Sequence, residues 1–252
     1  MIYIGNVPLD NHIPKICVPL VGQTLDDIEE ECRYLQDMPY DVVEFRADFL
    51  GGVTEEGIMM LALRAIRQIL PQSPLLFTFR TKQEGGEAQL FDWDYAALLT
   101  QAVQSGWIDA IDIEYFRSRK YTEPVIQLAK EKGVTVVMSS HDFQKTPPYE
   151  ELVQRLLGMK EQGADVAKLA CMPQCAADVL TLLQATNHVK TQYPNEPLIT
   201  MSMGQLGVIS RISGEVFGSA MTFGAAKKAS APGQLDIAAL QQCLQVLHGK
   251  RA

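Results

Sequence analysis

Eight short apolar runs recur along the chain, at 16–20, 42–45, 75–79, 108–113, 134–138, 164–169, 197–201 and 219–223. They are nearly continuous rather than alternating, as parallel strands covered on both faces should be. Between them apolar positions recur every three or four residues, which predicts helices over 24–35, 57–70, 92–105, 123–132, 149–162, 176–192 and 235–247. Thr24 is the predicted N-cap of the first, with Asp27 as its capping-box partner. The pattern is weakest over 205–214. Ahead of the rhythm, residues 2–7 alternate around Gly5-Asn6 and predict a small ribbon.

Eight strand–helix units in 252 residues predict an α/β fold, a (β/α)8 TIM barrel, as one domain over 1–252. The short N-terminal β ribbon should cap it. An open doubly wound sheet is the alternative, disfavoured because no glycine-rich phosphate-binding turn follows an early strand.

Charge narrows the partners. A net charge of −8 argues against nucleic acid and anionic membrane surfaces, so an anionic ligand needs a local cluster of Arg and Lys. No apolar run approaches the roughly 18–20 residues of a membrane span. The opening MIYIGNVPLDNHIPK has no basic start followed by an apolar region, so no secretory leader is expected. The odd number of cysteines, five, fits a reducing, cytoplasmic setting. Cys171 and Cys175 stand four apart with no second pair or nearby histidine, so no metal site is expected.

The active site of a parallel barrel lies at the carboxyl ends of its strands. There the chain places Glu44 and Arg46, Arg80 followed by Thr81-Lys82-Gln83-Glu84-Gly85-Gly86, Asp112 and Glu114, Ser139-Ser140-His141-Asp142, Lys168, Met201-Ser202-Met203, Arg211, and the loop 227–234, KKASAPGQ. A single strand-end charge is ordinarily an exposed or satisfied one. Together, Arg46, Arg80, Lys168 and Arg211 gather positive charge at one mouth of an acidic protein, which suits a carboxylate-bearing substrate. Lys168 sits among small and apolar neighbours. Burial there favours the neutral, nucleophilic amine able to form a Schiff base, whereas a snorkelling surface lysine is the plainer alternative. His141, next to it in barrel order, suits an acid/base, and Glu84 could orient the ring. The loop 227–234 suits a plain turn or a lid.

EFRADFL at 44–50, FTFRTKQEGG at 77–86, SSHDF at 139–143, AKLA at 167–170 and SRISGEVFGSAMTFG running into SAPGQL at 210–235 resemble type I 3-dehydroquinate dehydratases of the shikimate pathway, over roughly 15–245. The resemblance implies a barrel lyase that converts 3-dehydroquinate to 3-dehydroshikimate by syn elimination. It implies no cofactor and commonly a homodimer. By position, Lys168 resembles the Schiff-base lysine, His141 the acid/base, Glu84 its partner and Arg211 the ligand of the substrate carboxylate. Glu44, Arg46, Arg80, Ser230 and Gln234 resemble substrate-contacting residues, and Met201, Met203 and Phe223 the lining of the ring pocket. Pro19 stands where some members carry a hydroxyl. A Schiff-base aldolase is the rival enzyme, but Arg211 and SAPGQ replace the phosphate cradle after strands seven and eight that a sugar-phosphate enzyme needs. A silent barrel that only binds a small acid is the rival of another class.

Overall fold

The computed structural model describes residues 1–10, 12–227 and 229–249; Lys228, in the predicted loop, lies outside them. The expected ribbon is an antiparallel pair, β1 (Ile2–Ile4) and β2 (Val7–Leu9). The eight runs become β3 (Lys15–Leu20), β4 (Val42–Arg46), β5 (Leu75–Thr78), β6 (Ala110–Glu114), β7 (Thr135–Asp142), β8 (Val166–Cys171), β9 (Leu198–Ser202) and β10 (Met221–Ala225). Parallel ladders join β3 through β9 in chain order, and β10 pairs the free side of β3. The ring closes through a parallel bridge between Leu198 and Ser219 and a hydrogen bond from Ala220 N–H to the Leu198 carbonyl (2.8 Å). A (β/α)8 barrel results.

Helices α1 (Leu25–Leu35), α2 (Ile58–Ile69), α3 (Asp92–Gln104), α4 (Arg119–Glu131), α5 (Tyr149–Glu161) and α6 (Ala176–Gln192) fill the intervals. Thr24 caps α1 with both halves of the capping box formed through Asp27. The weak stretch after β9 is two short helices, α7 (Val208–Ile212) and α8 (Gly214–Phe217). Two predicted boundaries move. Helix α4 starts at Arg119, not 123, and carries Pro124 inside it. Pro124 faces solvent, where water can take the carbonyl it leaves unbonded, so the helix survives. The last helix, α9 (Ile237–His248), starts two residues late because Leu235–Asp236 pairs beside β10 as β11 and Asp236 caps the helix.

Outward-facing strand residues pack on the helices as one apolar layer. Inward-facing ones tell a different story. Cys17, Val42, Leu76, Ala110, Val137, Val166 and Ile199 form a second cluster with Ile4 and Leu9 of the ribbon, which plug the floor. Two residues further up the strands, the same inward side carries Glu44, Thr78, Asp112, Ser139, Lys168 and Met201. The barrel interior thus changes from apolar floor to charged ceiling within one step of the strand period.

Candidate active site

A cavity of about 40 Å³ opens at that ceiling, lined by Glu44, Arg46, Arg80, Glu84, His141, Lys168, Met201, Met203, Phe223, Ser230 and Gln234. Every expected site residue but one is on its wall. Lys168 is 4% exposed, so the snorkelling alternative fails. Its neighbours along the strand, Ala167, Leu169 and Ala170, are apolar and buried, but charged groups reach it from across the barrel. Its Nζ lies 2.9 Å from Asp112 Oδ2 and 3.4 Å from Glu44 Oε1, with the Phe223 ring centroid 4.6 Å away. The amine is buried but ion-paired.

His141 sits on β7, paired across the ladder with Ala170 of β8, two residues beyond the pairing of Ser139 with Lys168. Its Nδ1 is 2.9 Å from Glu84 Oε2, and its backbone N–H donates to the same oxygen (3.1 Å). Arg80 Nη1 also approaches that oxygen, at 3.4 Å. An oxygen already accepting from an N–H and facing a guanidinium is an acceptor toward the ring as well. Nδ1 therefore carries the proton, and Nε2 keeps its lone pair. Burial, with Arg80 and Lys168 close by, pushes the imidazole well below its ordinary value. Burial, offset by Arg80 but reinforced by Glu114 and Asp112, pushes Glu84 up. The turn that delivers Glu84 ends at Gly85, whose φ of +81° favours glycine, and a Cβ there would come within 2.2 Å of the Phe143 ring.

The predicted pool of positive charge is mostly neutralised. Arg46 makes two 2.8 Å bonds to the Asp48 carboxylate. Arg80 lies 2.7 Å from Asp112, 3.3 Å from Glu114 and 3.4 Å from Glu84. Arg211 is the exception. It is 1% exposed, forms no ion pair among the described residues, and is the expected site residue absent from the cavity wall. Its Nη2 donates to the Pro232 carbonyl (2.8 Å), its Nη1 lies 3.7 Å from Met201 Sδ, and its Nε has no partner. Burial pushes it down to about 10, so it remains a cation at neutral pH.

Ser230, Ala231 and Gln234 of the loop 229–234 form part of the cavity wall. Ser230 N–H donates to Gln234 Oε1 (2.8 Å) and Gln234 Nε2 to Ser230 Oγ (3.0 Å), closing the loop on itself. Gly204 N–H joins Arg211 in donating to Pro232 (3.2 Å), and a Cβ on Gly233 would strike the Gly204 carbonyl oxygen at 2.4 Å. Pro19 lies in β3 and is not on the wall. Sequence reasoning missed Phe143, Ala170 and Ala231 on the wall. Phe143 and Ala170 each follow a named residue by two, a spacing that marks one side of an extended chain.

The family model of the type I 3-dehydroquinases matches residues 16–251. A 3-dehydroquinate dehydratase of Clostridium novyi is 51% identical over 245 residues, 97% of either chain. One from Listeria monocytogenes is 50% identical over 247 residues, 98% of either chain. Among solved structures, the type I 3-dehydroquinate dehydratase of Clostridium difficile with covalent modified comenic acid is 44% identical. It superposes with a TM-score of 0.95 and covers 98% of this chain and 97% of its own. The Enterococcus faecalis enzyme is 41% identical, with a TM-score of 0.91 and coverage of 98% and 99%. With its barrel, its buried lysine and its histidine–glutamate pair at the strand ends, this chain belongs to the type I 3-dehydroquinases, enzymes that dehydrate 3-dehydroquinate.

Proposed function

We propose that the chain works as one barrel domain and dehydrates 3-dehydroquinate through a Schiff base on Lys168, with His141 as the single acid/base. The observation that carries the reading is that Lys168 and the His141–Glu84 pair share the wall of one cavity. Lys168 condenses with the C3 ketone and expels water. The iminium draws electrons from C2, and His141 Nε2 takes the C2 proton to leave an enamine. The enamine electrons then push out the C1 hydroxyl, which departs as water with the proton from His141. Hydrolysis of the product iminium frees Lys168. A syn course lets one imidazole serve both transfers, worth about 10²–10⁴ in rate. Glu84 at Nδ1 keeps the ring oriented for both transfers.

Arg211, a buried cation lacking a carboxylate, is the ligand for the substrate carboxylate. Its Nη2 holds the Pro232 carbonyl of the lid, and its Nε is left without a partner. Glu44, Arg46, Arg80, Ser230 and Gln234 contact the hydroxylated ring, and Met201, Met203 and Phe223 pack its faces. Closure of the lid keeps bulk water from the iminium. Five free thiols support a cytoplasmic setting. Exposed Leu206, Ile209, Val216, Val246 and Leu247, on or beside α7, α8 and α9, support a homodimer formed through that face.

Borohydride added with dehydroquinate should leave one reduced ligand on the peptide carrying Lys168; labelling elsewhere, or none, removes the mechanism. H141A should still form the adduct, more slowly, while the enone absorbance of the product stays flat. Turnover near that of the unaltered enzyme would exclude His141 as the acid/base.

A further inference from the structure

We propose that Asp112 is the positioning residue of Lys168 and the fixed counter-charge of the cation that the reaction builds on it, an inference that rests on the Schiff-base reading. Two carboxylates touch the amine, and they are not equivalent. Glu44 lines the cavity, where an incoming ligand can contact it, stands farther from Nζ and is held by one group, the Thr78 hydroxyl (2.8 Å). Asp112 is off the wall and 1% exposed. Its Oδ1 accepts from Ser139 Oγ (2.5 Å) and lies 2.7 Å from Arg80 Nη2, which leaves Oδ2 facing Nζ at 2.9 Å. Ser139 is itself held by Arg80 Nη1 (2.8 Å), so the carboxylate is clamped from both sides of Oδ1.

That clamp suits the charge balance of imine formation. A protonated amine and a ketone give a protonated imine and water, so three N–H protons become one on nitrogen and two on the departing oxygen. The nitrogen carries one positive charge before and after. A counter-charge already in place serves both states without reorganising, which is the most effective form of electrostatic assistance. Asp112 can fill that role because Arg80 stays beside it when the amine is momentarily neutral. Arg80, and Lys168 when charged, hold its carboxyl well below the usual range against the opposing effect of burial.

The other groups facing Nζ are Glu44 from β4, Phe223 from β10 and Cys17 from β3, the last a thiol that burial keeps neutral. Arg80 is the remaining charged group nearby, and the His141 imidazole, pushed toward its neutral form, adds no charge. Removing Asp112 leaves Nζ with the more distant Glu44 carboxylate and with Arg80, a neighbour that disfavours its charge.

Carbamylation of Lys168 by cyanate, followed as mass on its peptide, reads the amine without substrate. D112N, with the unfolding temperature checked, should lower the pH midpoint of carbamylation by about 1–3 units, the scale of losing one close opposite charge. It should also reduce several-fold the share of enzyme trapped by borohydride during turnover. S139A keeps the charge but loosens the clamp, so the trapped share should fall while the midpoint stays. A D112N midpoint equal to that of the unaltered enzyme would overturn the proposal. If D112N does not fold, an S139A trapped share equal to that of the unaltered enzyme would do the same. Failure of the unaltered enzyme to trap any ligand on Lys168 sinks the Schiff-base reading instead, while the cyanate midpoints still judge Asp112.

Discussion

The two sides of the barrel mouth each bury an arginine, and they treat it in opposite ways. On the side of β5 to β7, Arg80 meets three carboxylates, Glu84, Asp112 and Glu114, and these drive its guanidinium further toward the charged form. On the side of β9 and β10, Arg211 has a carbonyl, a thioether and an unpartnered Nε. A buried charge without a counter-charge costs stability. The charge of the first arginine is thus satisfied within the chain, whereas the second keeps the free charge that the proposed carboxylate contact needs.

Breaking the first should do the most damage. R80M would strand three buried carboxylates, and the loss of folding stability in a denaturant titration should be about 3–5 kcal/mol. R211M removes a desolvated, unpaired cation, so stability should stay within about 1 kcal/mol of the unaltered protein. Its KM for dehydroquinate should nevertheless rise by about 10²-fold, the cost of losing one partner of a buried charge pair. Equal stability losses in the two variants would erase the contrast.

Acidity sharpens it further. Glu84 belongs to the compensated side, yet burial raises it from 4.5 to about 8. A carboxyl raised on folding contributes stability that is complete below pH 4.5 and is lost as pH climbs through about 8. E84Q has no such loss, so its unfolding temperature relative to the unaltered protein should improve from about pH 5 to about pH 8 and level off above that, while its turnover drops. A gap that does not change with pH would show that Glu84 is already ionised at acid pH. The smallest effect belongs to the lid. G233A must adopt φ +79° and push against the Gly204 carbonyl, which costs about 1–3 kcal/mol of lid docking and should raise KM modestly.

The barrel was legible because outward-facing strand positions are mostly apolar, which makes each strand a visible run. All eight runs became strands, with ends shifted by a few residues. The charged ceiling was legible for a related reason: Glu44, Asp112 and Lys168 are polar at inward positions where the floor is Val42, Ala110 and Val166. Who pairs with whom was not. Lys168 and Asp112 are separated by 56 residues, and no local spacing says that Asp112 reaches Nζ or that Arg211 is left without a carboxylate. Those facts follow from the stagger between neighbouring strands. The start of α4 was hidden for a simpler reason, because Pro124 imitates a first-turn proline while sitting well inside the helix.

The ribbon at the other end of the barrel has a role in this economy of charge. Ile4 and Leu9 stopper the cylinder beneath a single tier of aliphatic side chains, and directly above that tier sit the lysine and its acidic companions. Were the stopper trimmed away, moisture could rise from below into a chamber whose electrostatics depend on dryness. A terminal hairpin distant from every reacting atom would then govern how long the proposed imine survives.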